Sequence, residues 1–217
     1  MIDTKYTGIN MFDGIIFDVD GTLWDSTPVV ERAWNKALED FGYTDGRVSA
    51  EILRGLFGLP MYAIIDSIAP GMSDAKKEEF APKCYEYEHA FLDETPGYIY
   101  DGILDTIREL AKTHRIFIVS NCQAGYIELF LRKSGLADVV IDHLCPGDTN
   151  EFKAANIRRI VKKHGLSAPV YVGDTQMDAD ACEEAGVPMI YAEYGFGSVR
   201  ECYAKVKRPA DLIDVVR

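Results

Sequence analysis

Two aspartates follow an apolar run near the beginning of the chain. The isoleucine and phenylalanine residues at 15–17 lead directly into Asp18 and Asp20, and Gly21 and Thr22 come soon after. Ionised carboxylates are costly to bury without a partner, so a buried strand rarely ends in two of them. The pair indicates a cation site, a nucleophile, or both, at the sheet edge where open α/β proteins bind their ligands.

Two later apolar runs also end in polar residues. Ser120 and Asn121 follow the first of these runs, Asp174 follows the second, and Lys153 begins the helix predicted between them. Because neighbouring parallel strands end at the same edge of a sheet, we expect these side chains to lie close together. Carboxylates at such short range repel one another, and some would be protonated unless a cation intervened. Mg²⁺ fits this kind of site, because it takes one or two carboxylates together with waters and phosphate oxygens.

The elements that must position these residues are strands alternating with helices. Helical spacing and Gly/Pro punctuation predict helices at 28–41, 49–57, 61–68 and 73–92, with no convincing strand between about 27 and 95. Beyond that region apolar runs alternate with helical segments, which is typical of parallel βαβ units. We therefore predict an α/β fold, a doubly wound parallel sheet with a small helical domain inserted after the first strand.

The domain boundaries follow from this change of pattern. We expect an α/β core formed by residues 1–26 and 96–217 and a helical domain formed by residues 27–95. A chain of 217 residues is long enough for one large domain with such an insert.

Composition argues against several classes of partner. The formal net charge of −12 is unsuited to a broad nucleic-acid surface, which needs clustered Lys and Arg. No apolar run approaches the roughly 20 residues that span a bilayer, and residues 1–6 show no secretory signal. The five cysteines form no CxxC pair, which favours reduced thiols in a cytoplasmic protein. Four histidines have no mutual metal-ligand spacing and are expected to be surface or packing residues: His89, His114, His143 and His164.

Taken together, these positions resemble the motifs of the haloacid dehalogenase superfamily of phosphohydrolases. The family motif DxDGT corresponds to 18–22, the strand ending in Ser or Thr to Ser120, the upstream lysine to Lys153, and the final acidic motif to 172–178. The resemblance covers nearly the whole chain and is nearest to the phosphoglycolate phosphatase-like branch. The helical insert resembles the small cap domain of several branches. One departure is Ala154, which stands where family members often have proline after the lysine.

The resemblance implies a role for each acid. Asp18 is expected to attack phosphorus and form an aspartyl-phosphate, and Asp20 to act as general acid and then general base. Mg²⁺ is expected on the Asp18 carboxylate, the Asp20 main-chain carbonyl and the Asp174 carboxylate. Asp178 either ligates the ion through water, orients the loop, or caps the following helix.

The remaining site residues are expected to hold the phosphoryl group. Ser120, Asn121 and the backbone around Gly21 and Thr22 would hydrogen-bond its oxygens, and Lys153 would offset its charge. Within the insert, Arg54 either clamps an anionic group of the substrate or is a solvated helix residue. The turn at 194–197 resembles a loop in small-molecule phosphatases of the family, although its glycines also suit any tight turn.

The function that these expectations favour is that of a Mg²⁺-dependent phosphatase for a small phosphorylated metabolite, such as phosphoglycolate, a sugar phosphate or a nucleotide. A phosphomutase of the β-phosphoglucomutase type and a non-catalytic phosphometabolite-binding protein remain alternatives. Dehalogenation is disfavoured, because dehalogenases of the family lack an acid at the position of Asp20. We expect a monomer or homodimer with no nucleic-acid or membrane partner.

Overall fold

The strands of the protein fall into one large parallel sheet and a short pair. A computed structural model describes residues 12–43 and 47–216, and the N-terminal segment 1–6, in which no secretory signal is predicted, lies outside these residues. Six strands pair in parallel in the order β5-β4-β1-β6-β7-β8, and β2 and β3 form the short pair. The strands are β1 (Gly14–Phe17), β2 (Trp24–Asp25), β3 (Tyr98–Ile99), β4 (Arg115–Val119), β5 (Val140–Leu144), β6 (Pro169–Gly173), β7 (Met189–Ala192) and β8 (Ala204–Val206).

The chain divides into two compact units. The first, here called the sheet unit, runs up to Trp24 and resumes at Ile99, and the second, the helical unit, spans Asp25–Tyr98. Among its described residues, the helical unit contains four helices: α1 (Thr27–Asp40), α2 (Ala50–Leu56), α3 (Met61–Ile68) and α4 (Asp74–Glu94). Inside this unit, the buried Trp34 indole on α1 donates a 2.8 Å hydrogen bond to the Glu88 carboxylate on α4.

Helices flank the large sheet of the sheet unit. They are α5 (Ile103–Leu110), α6 (Tyr126–Ser134), α7 (Pro146–Thr149), α8 (Lys153–His164), α9 (Gln176–Ala185) and α10 (Leu212–Val215), with a 3₁₀ turn at Pro209–Asp211. All four residues of β1 are buried, as expected for a parallel strand whose two faces are both covered. The predicted α/β class with a parallel sheet is therefore confirmed.

Because β1 is a central strand of the large sheet, its neighbours determine which predicted site residues lie next to one another. Phe17 at its end is in register with Ile118 of β4 on one side and Val172 of β6 on the other. The residues that follow these three strands therefore emerge side by side at the carboxyl edge of the sheet.

The sixth strand of this sheet is not among those that the sequence predicts. Strand β8 comprises only Ala204, Lys205 and Val206 and lies at the edge next to β7. A three-residue strand with an exposed lysine has no apolar run to mark it, and only its pairing with β7 defines it. Within residues 12–43 and 47–216, no helix is long and apolar enough to cross a membrane.

Candidate active site

The predicted polar residues meet at the carboxyl edge of the large sheet. The Asp18 amide donates to the Val172 carbonyl at 2.9 Å and the Ser120 amide to the Leu144 carbonyl at 3.3 Å, so each residue extends its strand by one step. The side chains of Asp18, Ser120 and Asp174 are all buried. The strand ends therefore hold these groups in a shielded site inside the sheet unit.

Three carboxylates form the acidic part of this site. One oxygen from each of Asp18, Asp174 and Asp178 lies within 4.8 Å of the other two. Burial, together with the charge of Asp178, raises the pKa of Asp18 to about 6, against the opposing pull of Lys153. Burial and the charges of Asp178 and Asp18 also raise the pKa of Asp174 well above its usual value. Asp18 and Asp174 therefore resist ionisation. These buried oxygen donors fit a hard divalent cation, which would stabilise their charged forms.

Lys153 supplies positive charge to the same cluster. Lys153 is the first residue of α8. Its Nζ lies 3.0 Å from Asp18 Oδ1 and also contacts Asp178 Oδ1. Burial disfavours the ammonium ion, but the charges of Asp178 and Asp18 outweigh burial and raise the pKa of Lys153. The charged form of Lys153 is therefore favoured beside the Asp18 carboxylate.

Asp178 is occupied by contacts within the protein. Its Oδ2 accepts hydrogen bonds from the Thr175 amide at 3.0 Å and the Thr175 hydroxyl at 2.7 Å. The Asp178 amide donates in turn to Thr175 Oγ1 at 3.3 Å, which completes a capping box at the start of α9. Burial opposes the charged form of Asp178, but the charge of Lys153 and these hydrogen bonds lower its pKa. The carboxylate therefore fixes both the beginning of α9 and the position of the lysine.

Asp20 lies two residues beyond Asp18 and has partners that the sequence did not indicate. Its Oδ1 accepts a hydrogen bond from Trp24 Nε1 at 3.1 Å and another from the Tyr126 hydroxyl at 2.8 Å. Tyr126 is at the start of α6, 106 residues away in sequence, and no local pattern connects it with Asp20. These two donors set the orientation of the Asp20 carboxylate.

The turn after β7 holds Asp174 in place. Phe196 donates its amide to Asp174 Oδ2 at 2.8 Å, and the Thr22 hydroxyl donates to Asp174 Oδ1 at 3.3 Å. A Cβ atom at Gly195 would lie 2.3 Å from Asp174 Cβ, and one at Gly21 would lie 2.1 Å from Asp174 Oδ2. Both glycines are required by this close approach, and Gly21 also has a left-handed φ of 78°.

The remaining candidate residues differ in their surroundings. Asn121 is partly exposed, whereas Thr22 is fully buried with its hydroxyl turned to Asp174. Arg54 lies in the helical unit, where its Nε and NH2 groups donate to Asp25 Oδ2 at 3.1 and 2.7 Å. Its guanidinium is thus held by a carboxylate of the same unit.

The fold and the contacts define a class of protein. Buried carboxylates, a buried lysine and a serine hydroxyl meet at the carboxyl edge of a parallel sheet, which is where open α/β proteins bind their ligands. A family model described as haloacid dehalogenase-like hydrolase matches residues 15–192. The protein belongs to the haloacid dehalogenase-like hydrolase family, and the predictions of this family and of a hydrolytic enzyme are confirmed.

Individual relatives agree with this assignment. The phosphoglycolate phosphatase of Aliivibrio fischeri is 28% identical to this chain over 195 residues, which cover 84% of each protein. A haloacid dehalogenase-like family protein from Streptococcus pneumoniae has the same fold, with a TM-score of 0.83 and 19% identity over 95% of this chain and 99% of that one. CbbY from Rhodobacter sphaeroides, solved with xylulose-(1,5)bisphosphate, gives a TM-score of 0.79 at 19% identity over 93% of this chain and 96% of that one.

Proposed function

We propose that this hydrolase is a Mg²⁺-dependent phosphatase that acts on a small phosphorylated metabolite through an aspartyl-phosphate on Asp18. The observation that carries the proposal is the environment of the Asp18 carboxylate. It lies at the end of the central strand, 3.0 Å from a buried ammonium group and within a cluster of acids that fits a divalent cation. The phosphatase names of the curated relatives support the same reaction class.

The first step transfers the phosphoryl group to Asp18. A carboxylate oxygen of Asp18 forms a bond to phosphorus as the bond between phosphorus and the ester oxygen breaks. Asp20 gives a proton to the departing alkoxide, and the product leaves as an alcohol. Ser120, Asn121 and the backbone at Gly21 and Thr22 hold the equatorial oxygens of the phosphoryl group, and Lys153 offsets the charge on the Asp18 side.

The second step releases phosphate. Asp20, now a carboxylate, takes a proton from a water molecule that attacks phosphorus, and the bond between phosphorus and Asp18 breaks. The hydrogen bonds from Trp24 and Tyr126 keep Asp20 oriented for both proton transfers.

Asp18, Asp174 and the main-chain carbonyl of Asp20 would hold the magnesium ion. A bound Mg²⁺ would neutralise the buried carboxylates and the phosphoryl oxygens during transfer. Since both oxygens of Asp178 are engaged by Lys153 and Thr175, we assign Asp178 to positioning these groups rather than to direct ligation.

Phosphoglycolate, sugar phosphates and nucleotides are the substrate classes that we propose. The helical unit would act as the cap domain, and Arg54 within it would bind an anionic part of the substrate after exchanging its contact with Asp25. We further propose a cytoplasmic protein that acts as a monomer or homodimer.

The deciding experiment measures phosphate release from a panel of phosphoglycolate, hexose phosphates, nucleoside monophosphates and pyrophosphate in the presence of Mg²⁺. Asp18→Asn should abolish release while the protein stays folded, whereas Asp105→Asn, an exposed aspartate on α5, should leave it unchanged. Retained turnover in the Asp18 variant would rule out Asp18 as the nucleophile. Transfer of the group between sugar positions without net phosphate release would identify a phosphomutase instead.

A further inference from the structure

A second group of metal-ligating residue types lies in the sheet unit, apart from the aspartate cluster. Glu128 is in the first turn of α6, His143 is in β5, and Asp148 is in α7. One ligand atom from each residue lies within 4.8 Å of the other two. We propose that Glu128, His143 and Asp148 form a binding site for a divalent cation of the zinc class, here called the second metal site.

The chemistry of the three donors selects the kind of ion. Mg²⁺ and Ca²⁺ prefer sites made of oxygen alone, whereas an imidazole nitrogen beside carboxylates suits zinc and its first-row neighbours. Tetrahedral ligands at about 2.1 Å from zinc are about 3.4 Å apart. Glu128 and Asp148 are exposed, so small rotations of their side chains suffice to bring the three donors to that separation.

One ring nitrogen of the histidine at this site makes no hydrogen bond within the described residues. His143 Nδ1 is shielded from solvent and has no hydrogen-bond partner among the residues that the structure describes. A shielded ring nitrogen without a partner is unusual, because buried polar atoms are normally hydrogen-bonded. The imidazole is therefore not committed to a structural contact at Nδ1 that a metal would have to break.

Asp148 is already positioned by its neighbours. The Cys145 thiol donates to Asp148 Oδ2 at 3.1 Å, in the manner of the outer contacts that orient metal-bound carboxylates. The Gly147 amide donates to the Cys122 carbonyl at 3.3 Å, and a Cβ atom at Gly147 would lie 2.0 Å from the Ala124 amide nitrogen. The backbone on which Asp148 sits is thus held tightly against the segment that follows Ser120 and Asn121.

The electrostatic surroundings also favour a cation. In the part of the chain that the structure describes, neither Glu128 nor Asp148 forms an ion pair with a lysine or arginine. The protein as a whole carries a formal charge of −12. A bound divalent ion would supply the counter-charge that these two carboxylates lack and would connect α6, β5 and α7.

The test is a calorimetric titration of the protein with Zn²⁺, carried out in the Asp174→Asn background so that binding at the aspartate cluster is weakened. We expect one Zn²⁺ equivalent whose affinity falls by at least about tenfold in His143→Gln and in Asp148→Asn. His164→Gln provides the matched control, because that imidazole contacts Asp142 instead, and it should leave the affinity unchanged. Zinc should also raise the melting temperature of the background protein but not that of the His143 variant.

Circular dichroism checks that each variant is folded, and Glu128→Gln, on an exposed position, repeats the test should either of the other variants unfold. Equal Zn²⁺ affinity in the His143 or Glu128 variant and in the background protein would overturn the proposal. The absence of a zinc equivalent in the Asp174→Asn background would overturn it as well.

Discussion

At the scale of single residues, Lys153 has the central electrostatic role, because it faces two buried carboxylates at once. Replacing it with glutamine would leave Asp18 and Asp178 side by side without their cation. We expect Lys153→Gln to lower the free energy of unfolding by about 3–5 kcal/mol, as for other buried pairs that lose one partner. Phosphatase activity should fall at least about a hundredfold, because Asp18, the proposed nucleophile, would then be protonated or displaced.

Lys163 provides a matched control on the same helix. It is largely exposed and pairs with Asp142, so Lys163→Gln should change the free energy of unfolding by less than about 1 kcal/mol. Urea denaturation and phosphate release measure the two effects. A similar loss of stability and of activity in both variants would show that the burial of Lys153 has no special consequence.

Tyr126 offers a finer test of the acid and base assignment. Its hydroxyl donates to the Asp20 carboxylate, and Tyr126→Phe removes that donor while keeping the ring that packs against Trp24 at 5.8 Å. We expect kcat to fall about tenfold, with a much smaller change in KM, since the hydrogen bond orients the group that transfers protons. Steady-state kinetics measure this effect, and Tyr62→Phe, at an exposed position on α3, is the control. An unchanged kcat in the Tyr126 variant would show that Tyr126 does not orient Asp20 for proton transfer.

At the scale of elements, the turn after β7 fixes the Asp174 carboxylate through its backbone. A methyl group at Gly195 would collide with Asp174 and with the Gly21 carbonyl, which lies 2.4 Å from the added atom. Neither partner is the flexible end of a long side chain. We therefore expect Gly195→Ala to weaken Mg²⁺ binding and to lower activity at least about tenfold, while much of the stability is retained.

Gly55 in α2 is the control for this substitution. A Cβ atom there meets nothing within 4 Å, so Gly55→Ala should leave activity unchanged and raise the free energy of unfolding by about 0.5–1 kcal/mol. Mg²⁺ titration and thermal unfolding of both variants distinguish the two cases. Full activity in the Gly195 variant would show that the turn does not constrain Asp174.

At the scale of the whole molecule, the excess of acid groups leads us to expect that the proposed Mg²⁺ binding depends on pH. Without metal, burial holds the pKa of Asp18 at about 6 and that of Asp174 well above its usual value. A proton competes with the metal for each of these carboxylates, so the apparent affinity for Mg²⁺ must fall as the pH falls.

The proposed metal requirement predicts that EDTA stops turnover and that added Mg²⁺ restores it.

The pH dependence has a definite direction and range. Between pH 7.5 and pH 5 we expect the apparent Mg²⁺ affinity to drop by about tenfold or more, with most of the change below the pKa of Asp18. Isothermal titration at several pH values measures the effect, and the Asp18→Asn variant should show a shallower dependence. An affinity that stays constant over this range would contradict the protonation of these acids in the metal-free protein.

The order of the motifs along the chain determined the fold class of this protein and the sheet edge at which its candidate site lies. Apolar runs ending in Asp18, Ser120 and Asp174 identified three strands of a parallel sheet and the edge at which they end. Helical spacing placed α3 and α8 at the residues where the structure has them. These features are local, since they depend on burial of neighbouring residues and on where a strand or helix must stop.

The tertiary structure alone decided the partners of these residues. Tyr126 meets Asp20, Phe196 meets Asp174, and Glu128 meets His143 because elements that are separated in sequence lie next to each other in the sheet unit. No spacing in the sequence encodes such contacts, and for the same reason the short edge strand β8 was missed. The sequence therefore determined which groups carry the proposed chemistry, whereas packing decided which donors orient them, because orientation depends on neighbours that only the folded chain brings together.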